Sequence, residues 1–296
     1  PDVSTQQDRG RVSGWGVGIG YVGSIIAVGT GSVLLDAYGY PAVFRTIAVL
    51  FLLFATPAFL FIDERPRPKP VGRGPSPARS LHQLVATWKR AATYGGIVRF
   101  LIGRFLYTDA INTLIGGFLA IFVVQELDFT DDQVQLLLGI AIVAAIAGGI
   151  AAGRLTDRYG PRRVLFWALY TWIVAMVGGI AAAATGQGAL AWAIGPFGGL
   201  ALGATWASDR VFMARISPPR YLGEFYGLYA TVGRFATVLG PLIWGVIVNR
   251  LNLPRTVAMA ALVGFIVAGR LVLGGVSDRI RVWSPEDVGA PAPESG

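Results

Sequence analysis

Apolar runs without charge, parted by short polar breaks, recur along the whole chain of 296 residues. Residues 12–35, 46–62 and 133–153 carry no charged side chain, and residues 100–125 carry only Arg104 and Asp109. The uncharged stretch 164–208 is too long for one crossing and divides at Thr185-Gly186-Gln187-Gly188, a turn signal. Residues 222–249 are interrupted by Glu224 and Arg234, and residues 256–277 by Arg270 alone. A bilayer core needs about 20 apolar residues per helix, and a helix satisfies its own backbone groups in hydrocarbon. The pattern predicts an all-α polytopic membrane protein with eight transmembrane helices. The ten-residue alternation of barrel strands is missing.

Composition agrees. Hydrophobic residues make up 54% of the chain and charged residues 14%, where a soluble domain carries about 25%. The 40 glycines suit close helix packing in lipid. There is no cysteine and one histidine, His82, which excludes a disulfide scaffold, a Cys/His metal site and a Cys or His nucleophilic pair. The net charge of +8 raises the question of nucleic acid, and the placement of the basic residues answers it. With a cytoplasmic N-terminus, 18 of the 25 lysines and arginines fall in cytoplasmic segments, three (Arg45, Arg250, Arg255) fall outside, and four lie within spans. The positive-inside rule then places both ends in the cytoplasm, and the basic charge is spread over loops flanking the membrane.

The long hydrophilic stretch begins at Asp63. Its first part is proline-rich and basic, an extended linker. Its second part sets Leu81, Leu84, Val85, Trp88 and Ala92 at helical spacing, predicting an amphipathic helix on the cytoplasmic membrane face, with His82 a solvated or interfacial residue.

The segment Gly153-Arg154-Leu155-Thr156-Asp157-Arg158-Tyr159-Gly160-Pro161-Arg162-Arg163 resembles the loop signature of the major facilitator superfamily, with Pro161 as an extra residue before the arginine pair. That loop joins the second and third helices of a six-helix half. The resemblance therefore implies four segments: 1–62, the last two helices of one half; 63–97, a cytoplasmic linker; 98–277, a complete second half; and 278–296, a cytoplasmic tail. A weak repeat agrees, since Gly14 and Gly18 follow Arg9 and Arg11 much as Gly223 and Gly227 follow Arg220. The expectation is a fragment lacking about four N-terminal helices of a twelve-helix fold. Residues 13–24, 99–118 and 209–245 are similar to the vacuole effluxer-like family, which includes the autophagy-related vacuolar amino-acid effluxer of fungi and many bacterial transporters. The family implies secondary transport, with amino-acid export as its best-known activity, and a bacterial relative implies the cell's inner membrane.

Charges inside spans face the bundle interior or a cavity and mark candidate sites. By helix rise, Arg104 lies about 9 Å from the cytoplasmic face, Asp109 about 16 Å, Asp209 and Arg210 about 9–11 Å, and Arg234 about 16 Å. Depth matching pairs Arg104 with Asp209, and Asp109 with Arg234, with Asn112 one turn above Asp109. Two roles stay open for these groups: static ion pairs, or binding of substrate and proton. Arg270 reads as a snorkelling residue and Glu224 as a helix cap. In the signature, Gly153, Asp157, Arg158, Gly160, Arg162 and Arg163 form a candidate gating loop, with Asp157 expected near the N-terminus of the seventh helix and near Arg215 or Arg220. Gly240 and Pro241, with Pro57 and Pro196, are candidate bending points.

No Walker A sequence is present, so the reading is a secondary transporter of a small solute, driven by a gradient and coupled to protons through Asp109. No cofactor, metal or nucleic acid is called for; the partners are the substrate, protons and the lipid bilayer. An intramembrane enzyme would need an acid/base or metal cluster, and only Asp109 and Asp209 lie deep enough. A non-transporting scaffold or sensor with a transporter fold is the alternative.

Overall fold

A computed structural model describes residues 9–61, 77–279, 281 and 283–288. The proline-rich part of the linker and the end of the tail lie outside the described residues. Among the described residues, eight helical stretches are long and apolar enough to cross a membrane: Gly10–Leu35, Ala37–Pro57, Ile97–Leu127, Asp131–Tyr159, Pro161–Thr185, Gly188–Ile216, Pro219–Arg250 and Arg255–Leu273. Each matches one apolar run of the sequence.

Helix α1 (Arg9–Phe61) supplies the first two crossings and turns at Gly39, whose φ of 72° suits only a residue without Cβ. Helix α2 (Pro77–Thr93) is the amphipathic helix. The third crossing is α3 (Ile97–Thr113), a π-turn at Leu114–Phe118 and α4 (Leu119–Leu127). Helix α5 (Asp131–Tyr159) opens on a Thr130–Gln133 capping box and runs six residues beyond the expected 153. The signature is therefore mostly helical, with Gly160 alone between α5 and α6 (Pro161–Thr185). Short α7 (Gly188–Ala191) leads into α8 (Ile194–Ile216). The seventh crossing is divided into α9 (Leu222–Phe235) and α10 (Leu239–Gly245), followed by α11 (Arg255–Leu273) and one turn of the tail, α12 (Pro285–Val288).

The chain divides into two compact units, residues 1–21 with 82–296, and residues 22–81. In the smaller unit Phe44, Phe51, Leu52 and Phe54 are exposed, as side chains facing lipid are. The larger unit holds the core. Gly199 and Gly203 of α8 bring its backbone against the carbonyls of Ala141 and Ala145 on α5, where any added Cβ would collide. Small residues of this kind let helices approach where lipid offers no hydrophobic drive. Phe100 and Phe212 fill the space between α3 and α8 edge to face, centroids 5.0 Å apart.

Candidate substrate and gating site

Three crossings meet at one buried charge cluster. Arg104 of α3 is 5% exposed and Asp209 of α8 is fully buried, with Arg104 Nε 3.3 Å from Asp209 Oδ2. Tyr229 of α9 donates its hydroxyl to Asp209 Oδ1 at 3.0 Å, while its ring lies 3.7 Å under the Arg104 guanidinium. Tyr107 donates to Asp209 Oδ2 at 3.4 Å. Neither tyrosine stood out in the sequence; a phenol inside a membrane span needs a hydrogen-bond partner, and that is the signal that finds them. Arg104 Nε and Nη1 and Thr108 Oγ1, one turn above, are buried without a hydrogen bond.

The depth-matched partner of Asp109 is not Arg234. Pro241 has no N–H and its ring crowds the carbonyl four residues back, Thr237, so the seventh crossing breaks between Phe235 and Leu239. The break frees backbone groups in the middle of the crossing, and α3 takes them up. Asp109 accepts from Leu239 N at 3.1 Å and from Gly240 N, and Asn112 Nδ2 donates to Ala236 O at 2.8 Å. Thr113 donates to the Asp109 carbonyl. A Cβ at Gly240 would fall on Thr113 Oγ1 and lie 2.8 Å from Asp109 Oδ2, so this approach requires glycine. Arg234, last but one in α9, is exposed; ion pairs form elsewhere, at Arg90–Glu224, Arg104–Asp209 and Arg255–Glu126. Depth along the axis was legible in the sequence; which way each side chain points around it was not. Arg210 is likewise exposed, its carbonyl accepting from Tyr226.

At the end of the bundle expected to be cytoplasmic, Asp157 lies at a different helix from the one expected. Its carboxylate accepts from Gly10 N at 2.8 Å and Arg11 N at 2.9 Å, capping the start of α1 rather than the seventh crossing. Gly10 and Gly14 face Gly149 and Gly153 so closely that a Cβ on Gly14 would lie 2.5 Å from the Gly149 carbonyl. That approach carries the α1 N–H groups to Asp157. The position near Arg215 is taken by Asp278, which accepts from Arg162 N at 3.4 Å. Arg162 Nη2 reaches the Gly274 carbonyl at 2.6 Å, joining the starts of α6 and the end of α11. Gly160 turns with φ 89° beside Asp278. Arg158 lies over the Tyr159 ring, and Arg154, Arg158 and Arg163 are exposed. Arg270 bonds Tyr170 and stacks on Phe166, and Glu224 pairs with Arg90 of α2 at 2.6 Å.

The tail folds back onto this face. Tyr94 donates to Asp287 at 2.6 Å, and Arg220 reaches the Glu286 carbonyl at 3.1 Å. The Tyr94 hydrogen bond, with that of Ser284, holds the Asp287 carboxyl below its ordinary value, and the same bond to a carboxylate pushes the Tyr94 phenol up to about 12.

A profile of the family described as "Vacuole effluxer Atg22 like" matches residues 2–279. The chain is 29% identical to "Autophagy-related protein 22-1" of Penicillium rubens, covering 81% of the chain and 44% of that protein. It is 27% identical to the Aspergillus niger protein of the same name, covering 81% and 43%. It is 24% identical to "Uncharacterized MFS-type transporter YxiO" of Bacillus subtilis, covering 94% and 65%. The chain thus spans about half the length of the curated relatives it matches.

Proposed function

The chain belongs to the vacuole effluxer Atg22 like family, and from that premise we propose that it forms part of a secondary transporter that moves a small solute by alternating access. In this reading residues 98–277 are one six-helix half and residues 1–62 end the other. The membrane is the bacterial cell membrane, with both ends of the chain cytoplasmic. One observation carries the reading: a buried carboxylate, Asp109, holds the first turn of α10 where the seventh crossing is broken. Ionised, it accepts from both N–H groups. Protonated, one oxygen becomes a donor and the hold on the break weakens. A proton taken up at Asp109 thereby favours movement of α10 against α9, which couples protonation to bending.

Arg234, exposed beside the break, receives an anionic group of the solute, and an amino-acid carboxylate is the solute group we favour. Transporter sites lie near the midplane at broken helices. The Arg104–Asp209–Tyr229 cluster ties α3, α8 and α9, so that movement of α9 loosens it. Asp157 and the arginines of the signature close the cytoplasmic side in one state. Reconstituting the whole protein in proteoliposomes and imposing a pH gradient tests the reading with a mixture of 14C-labelled amino acids. Accumulation above the level in protein-free liposomes is expected. Gradient-independent counts equal to those in protein-free liposomes would favour a scaffold.

A further inference from the structure

Helix α2 has no counterpart in the transport reading, yet its surroundings define what it touches. Its final residue is followed within four positions by α3, so the helix sits at the cytoplasmic boundary of the third crossing. One side is held by protein. Arg90 and Thr87 reach Glu224 in the first turn of α9, and Ala91 is fully buried. The adjoining face is apolar and uncovered: Leu84 is 39% exposed, Val85 53% and Trp88 39%. Lys89 and His82, both exposed, border this face on the side away from Glu224. An apolar strip bordered by a lysine, fixed at the level of the headgroups, matches a bilayer surface in both polarity and charge.

We propose that α2 seats Leu84, Val85 and Trp88 in the cytoplasmic leaflet and that Lys89 binds the headgroup phosphate of an anionic phospholipid there. The occupant is lipid rather than a protein partner, because the helix is anchored where acyl chains begin. Through the Arg90–Glu224 contact, the seated helix is joined to the start of the crossing that breaks at residues 236–238.

The chain contains no cysteine, so Val85→Cys gives this segment a single site for a bimane fluorophore. The labelled protein is placed in phosphatidylcholine nanodiscs containing 10 mol% of either doxyl-labelled phosphatidylglycerol or doxyl-labelled phosphatidylcholine, as probe lipids at about equal loading. Quenching by the glycerol lipid is expected to exceed quenching by the choline lipid by about fivefold, the enrichment from one lysine at about 1 kcal/mol. Lys89→Gln should bring the ratio close to one while quenching persists, and high salt should do the same. Absent quenching by either lipid places the helix in water and overturns the proposal. Equal quenching in the unsubstituted background shows apolar seating without recognition of the anionic headgroup, which also overturns it. The readout is independent of transport, so its failure leaves the transport reading intact.

Discussion

Replacing Asp109 by alanine removes the acceptor for two backbone N–H groups at the break, Leu239 and Gly240. Hydrogen bonds to a charged group are worth about 1.5–3 kcal/mol each, so the loss is roughly 3–6 kcal/mol. Asn112→Ala loses one neutral bond to the Ala236 carbonyl, about 1 kcal/mol. Arg234→Gln touches an exposed side chain without an ion pair among the described residues and should stay within about 0.5 kcal/mol. Thermal unfolding in detergent, followed by tryptophan fluorescence, reads all three. At about 2–4 °C per kcal/mol for a unit of this size, Asp109→Ala should lower the midpoint by roughly 6 °C or more. Arg234→Gln should leave it nearly unmoved. An Asp109–Arg234 ion pair would instead make the two substitutions equally damaging, because each would strand a buried charge. Equal losses, or an unshifted midpoint for Asp109→Ala, would refute the account of the break.

Asp209→Asn should cost about 3–5 kcal/mol by stranding Arg104, and the double change with Arg104→Met should recover most of it; a cycle of midpoints measures this, and additive losses would argue against coupling. Gly14→Leu should displace α1 from Gly149 and Gly153, seen as faster hydrogen exchange at the Gly10 and Arg11 amides, with Asp157→Asn giving a weaker version; unchanged exchange in both contradicts the capping role. The tail contact should depend on pH in two directions. Asp287 has a lowered folded value, so its contribution is present above its unfolded value of about 3.9 and is lost as pH falls through the lowered one. Tyr94 has a raised folded value, so its contribution is complete below its unfolded value of about 10 and is lost as pH rises through about 12. Exchange protection of residues 284–288 should therefore be flat between about pH 5 and 9, and a step near neutrality would contradict the Tyr94–Asp287 assignment.

Much of this architecture was legible because hydrocarbon imposes length and polarity on every crossing. All eight apolar runs are helices long and apolar enough to cross a membrane, and the spacing of Leu84, Val85 and Trp88 marked α2 as amphipathic. Helix rise, which fixes position along an axis, put Arg104 and Asp209 at one level, and the two side chains meet. Rotation about that axis depends on neighbouring helices, and there the reading diverged. Asp109 faces α10 because Pro241 opens backbone donors that no periodicity reveals. Asp157 reaches α1 because four glycines let two helices touch, a contact set by tertiary packing across 147 residues of sequence. Tyr107 and Tyr229 were hidden among other aromatic residues until their hydroxyls were seen to share Asp209.

The central claim is that a proton at Asp109 is coupled to solute movement, and proton flux measures it most directly. Proteoliposomes of the whole protein, loaded with the pH dye pyranine, are given the amino-acid mixture from outside. A change of internal pH is expected upon addition and should be absent with Asp109→Asn, while that variant, which keeps one acceptor for the break, still exchanges labelled amino acid across the membrane. The same pH change in Asp109→Asn as in the unsubstituted protein would contradict it.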